Sequence, residues 1–156
     1  MPQPNFTNDE FAERLSKVRK AMESAGIELL IVSDPSNMNW LTGYDGWSFY
    51  THQAVLVPMN GEPVWWGRGM DALGAKLTVY MDHDNIVGYP DHYVQTPERH
   101  PMQTLAELLR DRGWERSIAG IEMDNYYFSA AAWETLKTQL PNTGKNSNYY
   151  KHKQKQ

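Results

Sequence analysis

The sequence predicts an α/β fold in which a mixed β-sheet is flanked by helices. Three observations support this prediction: helical and extended patterns alternate, the apolar run 29–32 suits a strand buried on both faces, and Asn60-Gly61 separates two further strand patterns. The 156 residues suffice for one domain with a sizeable core.

The first helix is predicted to begin at Asn8 and to end before Gly26. Thr7 and Glu10 have the spacing of a capping box, and Phe6 precedes the cap as in a hydrophobic staple. Apolar residues then recur at helical spacing on one face, as Phe11, Leu15, Val18 and Met22.

The strand at 29–33 leads into a short helix predicted over 35–42. Asp34 has the position of its N-cap, Pro35 suits its first turn, and Gly43 would end it.

A β-hairpin is predicted next, with strands at 53–57 and 63–66 around Asn60-Gly61. A short helix follows, indicated by the apolar spacing of Met70, Leu73 and Leu77, and then a strand at 86–87.

The C-terminal half is predicted to form helix, strand and helix. Pro97 is expected to open the first of these helices, which would end before Gly113, and 117–122 alternates as a strand. Ser129 is expected to cap the last helix, and Pro141 to end it. The predicted order is therefore α, β, α, β, β, α, β, α, β, α.

Composition excludes several classes of function. The chain has no cysteine, which rules out disulfides, zinc–thiolate sites and thiol nucleophiles. The net charge is −4, and the last twelve residues hold four lysines and no acid, so residues 1–144 carry −8. An acidic body opposes binding to phosphate backbones, and we expect no nucleic-acid partner.

No apolar run approaches the ~20 residues of a membrane span, and the N-terminus lacks the features of a signal peptide. We therefore expect a cytoplasmic protein with no membrane partner. Residues 143–156 have no apolar periodicity, so we expect a domain over 1–142 followed by a disordered tail.

The segment from Asp34 to Tyr50 resembles the Asp-Pro-x-Asn-x-x-Tyr-Leu-Thr-Gly-Tyr stretch near the start of creatinase and prolidase type enzymes, with Trp40 replacing the first Tyr. Together with 87–93, it is most similar to the ectoine hydrolases of that family. The similarity covers 8–142 and implies an α/β N-terminal domain, a hydrolase of C–N bonds, and a homodimer formed through the N-terminal domain. It also implies a small zwitterionic substrate and a following catalytic domain of the "pita-bread" shape.

The family's catalytic residues belong to that larger domain. In its metallopeptidase members two Asp, a His and two Glu hold a pair of divalent metals, whereas creatinase works without metal. None of those motifs lies within 1–142. The resemblance therefore implies that this chain carries no catalytic residue, no metal site and no cofactor, and that it is inactive alone.

Three short motifs have local interpretations. Asp82-His83-Asp84 offers metal ligands, but an Asp/Asn cluster before a strand is typical of a turn. His92, after Pro90 and Asp91, is a candidate acid/base group and a candidate substrate-lid residue, or else a solvated loop residue. Gly67-Arg68-Gly69 lacks the spacing and the context of a dinucleotide-binding loop.

The aromatic segment after Gly43 is the main candidate for function. We predict core packing for Trp40, because aromatic rings dominate buried area. For the three later rings, core packing and function are both open, since Gly-flanked loops often carry binding residues. We expect these to be partly exposed on a lid loop: Trp47, Phe49 and Tyr50.

In creatinase the matching loop reaches across the dimer into the neighbouring active site, contributing a Phe and, two residues later, an Arg. The resemblance places Phe49 at the Phe position and Thr51 at the Arg position, so Thr51 is also a substrate-lid candidate. The missing guanidinium argues against creatine, whereas a neutral aromatic wall suits a delocalised cyclic cation such as that of ectoine. Two alternatives remain open: the N-terminal domain of a creatinase or Xaa-Pro peptidase relative, and a stand-alone module that binds peptides or small zwitterions.

Overall fold

The computed structural model describes residues 5–141, in which a five-stranded sheet is flanked by five helices. The predicted α/β class and the predicted order of elements are confirmed. The predicted tail, 143–156, lies outside the described residues. The elements in chain order are α1 (Asn8–Ala25), β1 (Leu29–Val32), α2 (Pro35–Thr42), β2 (Ala54–Pro58), β3 (Val64–Arg68), α3 (Gly69–Thr78), β4 (Ile86–Tyr89), α4 (Pro101–Asp111), β5 (Ala119–Ile121) and α5 (Ala130–Gln139).

The sheet is mixed, as predicted, with the strand order β4-β3-β2-β1-β5. The hairpin pairs β2 with β3 antiparallel, and β1 pairs antiparallel with β2, with Ile31 opposite Leu56. The outer pairs, β3 with β4 and β1 with β5, are parallel.

The two faces of the sheet bury two separate cores. Along β1, Leu29 and Ile31 join the core covered by α4 and α5. The alternate residues Leu30 and Val32 join the core covered by α1, α2 and α3. These two helical layers therefore lie on opposite sides of the sheet.

The predicted helix caps are confirmed. Thr7 and Glu10 form a capping box, and Gly26 ends α1 with a φ of 68°. The Asp34 carboxylate accepts hydrogen bonds from the first turn of α2, and the Ser129 hydroxyl does so for α5.

The predicted start of α4 at Pro97 is wrong, because the helix begins four residues later at Pro101. Pro97 lies in a bend. His100 is the N-cap instead: its Nδ1 accepts from the amide of Met102, and the side chain of Gln103 accepts from the amide of His100. This reciprocal pair satisfies two amides at the helix start that have no partner within the helix.

The predicted core packing of Trp40 is also wrong, since its side chain is 38% exposed. On this eight-residue helix the inward positions belong to Met38 and Leu41. Trp40 faces outward, where the guanidinium of Arg14 lies 5.3 Å from its ring and donates to its carbonyl oxygen.

The helix α3 forms as predicted, yet the apolar residues that indicated it face outward. Its inward face consists of Ala72 and Ala75. Small residues are needed there because α3 lies close to β4: a Cβ on Gly88 would stand 2.8 Å from the Cα of Gly69. Within residues 5–141, no helix combines the length and the apolar character needed to cross a bilayer.

Candidate functional site

The candidate site is the loop 44–51, which follows α2. Gly43 ends α2 with a φ of 83°, and Tyr44 then enters the core, with its ring centroid 5.3 Å from that of Trp65. The loop folds back over Tyr44 at Gly46, where a Cβ would lie 2.3 Å from the Tyr44 hydroxyl oxygen. The close contact between the buried Tyr44 ring and Gly46 therefore fixes the path of the loop at this point.

The next three aromatic side chains point outward, as predicted. Trp47, Phe49 and Tyr50 are 60%, 75% and 45% exposed. Their rings meet edge to face, with centroids 5.7 Å apart for Trp47 and Phe49 and 5.3 Å apart for Phe49 and Tyr50. This aromatic cluster is therefore exposed on the outside of the domain.

Thr51 lies at the base of the loop, and its side chain is buried. Its hydroxyl donates to Ser48 Oγ at 2.7 Å, and its amide donates to the same atom at 3.2 Å. In this structure Thr51 therefore anchors the loop and does not join the aromatic cluster.

A guanidinium that the sequence analysis missed lies beside the cluster. Arg68 Nη1 donates to the Tyr50 hydroxyl at 2.8 Å, while its Nε and Nη2 donate to the two carboxylate oxygens of Asp91. This bidentate pair raises the pKa of Arg68 and lowers the pKa of Asp91. Because Asp91 offsets its charge, Arg68 acts here by positioning Tyr50.

In the sequence Arg68 stands out only within Gly67-Arg68-Gly69, which lacks the spacing of a dinucleotide-binding loop. A single arginine at the end of a predicted strand does not reveal which side chains it contacts. The pairing depends on β3 and β4 being parallel neighbours, with Arg68 opposite Tyr89.

His92 is exposed in a short 3₁₀ turn, and its ring lies 4.7 Å from that of Tyr93. It lines a cavity of about 300 Å³ between β4 and α4. The preceding residue, Asp91, is linked to the aromatic cluster by Arg68, which donates to both Asp91 and the Tyr50 hydroxyl.

The sequence analysis also missed two titratable groups, the buried Glu122 and the half-buried His52. Burial raises the pKa of the Glu122 carboxyl to about 7, although it accepts hydrogen bonds from the Asp34 amide and from Asn37 Nδ2. Burial lowers the pKa of His52 to about 4, and its ring lies 4.9 Å from that of His100. Glu122 directly follows β5 and His52 lies two residues before β2, where the local sequence pattern does not reveal burial.

The turn interpretation of Asp82-His83-Asp84 is confirmed, because the Asp82 carboxylate caps a short 3₁₀ turn by accepting from the Asp84 amide at 2.9 Å. Among residues 5–141, no three His, Asp or Glu side chains lie close enough together to hold a metal ion.

Comparison with known proteins places the site in a family context. The family model described as Creatinase/Prolidase N-terminal domain matches residues 14–149. The ectoine hydrolase of Halomonas elongata is 62% identical over 137 residues, which cover 87% of this chain and 34% of that protein. An uncharacterized hydrolase/peptidase of Sinorhizobium fredii is 40% identical over 139 residues, which are 88% of this chain and 36% of the relative. The chain thus spans about a third of the length of these curated relatives.

Solved structures share the fold. The N-terminal domain of an Xaa-Pro dipeptidase from Lactobacillus brevis matches with a TM-score of 0.69 and 18% identity, over 85% of this chain and 92% of that one. A dipeptidase from Mycobacterium ulcerans matches with a TM-score of 0.65 and 20% identity, over 87% of this chain and 34% of its own.

Proposed function

The chain belongs to the creatinase/prolidase N-terminal domain family, and from this premise we propose that it is the substrate-lid and dimerisation domain of an ectoine hydrolase-like enzyme. Such an enzyme hydrolyses a C–N bond of the ectoine ring to give N-acetyl-diaminobutyrate. The chemistry belongs to a catalytic domain that follows in the relatives, and this chain alone is inactive.

The observation that carries the proposal is the aromatic cluster projecting from the domain. The side chains of Trp47 and Phe49 are each more than half exposed, although large aromatic rings are usually buried in a folded protein. Rings held edge to face on a loop can close over a substrate supplied by another part of the enzyme. Their exposure is then relieved only in the assembled active site.

The chemistry of the cluster fits a delocalised cation. Ring faces attract cations through their quadrupole, and the guanidinium of Arg68 beside the cluster is already paired with Asp91. Thr51, at the position where creatinase supplies an arginine, is buried. The cluster thus offers a neutral wall, which favours a cyclic amidinium zwitterion over creatine.

A chimera tests this function. Residues 1–141 would replace the matching segment of the Halomonas elongata ectoine hydrolase, and ring opening would be followed by mass spectrometry. We expect activity in the chimera, none in the isolated chain, and a raised KM or a lowered kcat in Phe49→Ala. Tyr126→Ala, which removes an exposed ring outside the loop, is the matched control.

Equal kinetics for Phe49→Ala and Tyr126→Ala would refute the lid role. Turnover of Xaa-Pro dipeptides but not of ectoine would support the peptidase alternative. Ectoine binding by the isolated chain, measured by calorimetry and lost in Phe49→Ala, would instead support a stand-alone binding module.

A further inference from the structure

A cavity of about 150 Å³ lies between α1 and α2, beside the carboxyl end of β1. A cavity of this volume can hold a molecule about as large as benzene. Among the described residues that line it, the only carboxyl group is that of Glu122, which directly follows β5. Most of the remaining wall is apolar, and it includes Val18, Met22, Val32, Trp40 and Leu41.

Hydrogen bonds hold the Glu122 carboxyl at this wall. The Asp34 amide donates to Oε2 at 3.2 Å, and Asn37 Nδ2 donates to Oε1 at 3.1 Å. The Ser33 amide is a further donor to this carboxyl. An ionised carboxyl accepts about four hydrogen bonds, so these donors leave room for one more, from a molecule in the cavity.

The cavity lies where α/β folds commonly bind ligands. The strands β1 and β5 are parallel neighbours, so their carboxyl ends meet at the same edge of the sheet. From β1 the chain continues into α2, whereas from β5 it continues into α5, which packs on the opposite face. Parallel neighbours whose connections diverge in this way leave a crevice outside their carboxyl ends, which is the usual ligand site of such sheets.

The charges around the cavity indicate the sign of the ligand. Burying a carboxylate among apolar side chains is costly unless a cation accompanies it. Within the described residues Glu122 forms no salt bridge. Lys17 lines the cavity, but its ammonium is exposed and lies 2.8 Å from the Glu13 carboxylate. The cavity therefore offers an acceptor and apolar contacts to a positively charged molecule.

We propose that this cavity binds a small organic cation with a compact apolar body, such as an amidinium or ammonium group attached to a single ring. The cationic group donates to Glu122 as a charge-assisted hydrogen bond, and the ring packs among Val18, Met22 and Trp40. A zwitterion such as ectoine fits poorly, because its carboxylate would enter the same apolar cavity as that of Glu122.

The inference goes beyond the proposed function and uses other residues. In the strand order β4-β3-β2-β1-β5, the cavity belongs to the β1 and β5 end of the sheet. Arg68, which holds Tyr50 of the aromatic cluster, lies on β3 beside β4.

Calorimetry of the purified chain with benzamidine tests the proposal. Benzamidine combines one amidinium with one ring, benzamide is its neutral counterpart of similar shape, and benzoate carries the opposite charge. We expect benzamidine to bind with a dissociation constant of about 1 mM or below, benzamide to bind about tenfold more weakly or less, and benzoate not to bind. In NMR spectra the side-chain amide of Asn37 should shift with benzamidine, because it donates to Glu122.

Two variants locate the binding site. Glu122→Gln removes the charge, and Ala21→Phe fills the cavity without changing any charge. Each should raise the dissociation constant of benzamidine about tenfold or more. The matched controls are Glu23→Gln at an exposed position of α1 and Ala131→Phe at an exposed position of α5, and both should bind benzamidine as the native chain does. Far-UV circular dichroism checks that all four variants are folded.

The pH dependence of binding gives a separate readout. Burial raises the pKa of Glu122 to about 7, and only its ionised form attracts a cation. The affinity for benzamidine should therefore rise by up to about tenfold per pH unit between about pH 5 and 7 and then level off. Loss of this dependence in Glu122→Gln would assign it to this carboxyl and not to Lys17 or Asp34, the other charged groups beside it.

Absence of benzamidine binding at millimolar concentration would overturn the proposal. Equal affinity for benzamidine and benzoate, or binding that persists in both Glu122→Gln and Ala21→Phe, would overturn it as well. None of these results affects the lid role, since that role is measured by turnover in the chimera with Phe49→Ala.

Discussion

Glu122→Gln should change the pH dependence of stability in a direction set by the structure. The Glu122 side chain is buried at the end of β5, and burial raises its pKa from the usual 4.5 to about 7. The folded state therefore holds a proton that the unfolded state has released. Stability from this group is fully present below pH 4.5 and is lost as the pH rises to 7.

The magnitude follows from the pKa difference. Each pH unit in that window costs about 1.4 kcal/mol, which gives a total of about 3 kcal/mol between the two ends. Gln cannot titrate, so the variant should lack this loss. Any constant change caused by replacing one acceptor oxygen with a donor shifts the whole curve without altering its slope.

His52 acts in the opposite direction over almost the same range. Burial lowers its pKa from 6.5 to about 4, so its stability contribution is present above 6.5 and is lost as the pH falls to 4. Burial also lowers the pKa of His100. In the native chain, between pH 4.5 and 6.5, the stability lost through Glu122 as the pH rises is therefore offset by the stability gained through His52.

Urea denaturation at half-unit pH intervals and constant ionic strength measures these slopes. As the pH rises through this window, the free energy of unfolding of Glu122→Gln should increase relative to that of the native chain by about 1.4 kcal/mol per pH unit. For His52→Gln the free energy of unfolding should instead decrease relative to that of the native chain as the pH rises. Glu23→Gln, which changes an exposed carboxyl on α1, is the control. Parallel curves for Glu122→Gln and the native chain would refute the reasoning.

Three further outcomes concern the loop. Phe49→Ala should change the free energy of unfolding by less than about 1 kcal/mol, whereas truncating a buried Phe costs roughly 3–5 kcal/mol; a urea-measured loss above about 3 kcal/mol would assign the ring to the core. Gly46→Ala should cost at least about 1 kcal/mol, because its Cβ would overlap the Tyr44 ring; native-like stability would contradict the close approach. Arg68→Ala should raise the pKa of Asp91, which the guanidinium now lowers; an unchanged carboxyl titration by NMR would show that the pair does not form in solution.

Local signals predicted most of the elements. The capping box of α1, the Asp34 cap with Pro35 in the first turn of α2, and the Asn60-Gly61 hairpin each depend on residues close in sequence. Capping and turn geometry satisfy backbone groups within a few residues, so the sequence alone is enough to locate them. The predicted start of α4 at Pro97 is wrong for two reasons. Histidine is an uncommon N-cap, and Pro97 occurs where a first-turn proline would be expected.

The sequence by itself determined the α/β class and the order of the elements, and it located the aromatic loop after Gly43. Only the tertiary structure decided which face of each helix is buried and which distant side chains meet. Trp40 and Leu73 lie in helices whose inward positions are filled by other residues, and Arg68 meets Asp91 through the pairing of β3 with β4. Such facts depend on how the layers pack against one another, because burial and long-range contacts are properties of the assembled layers and not of any local pattern.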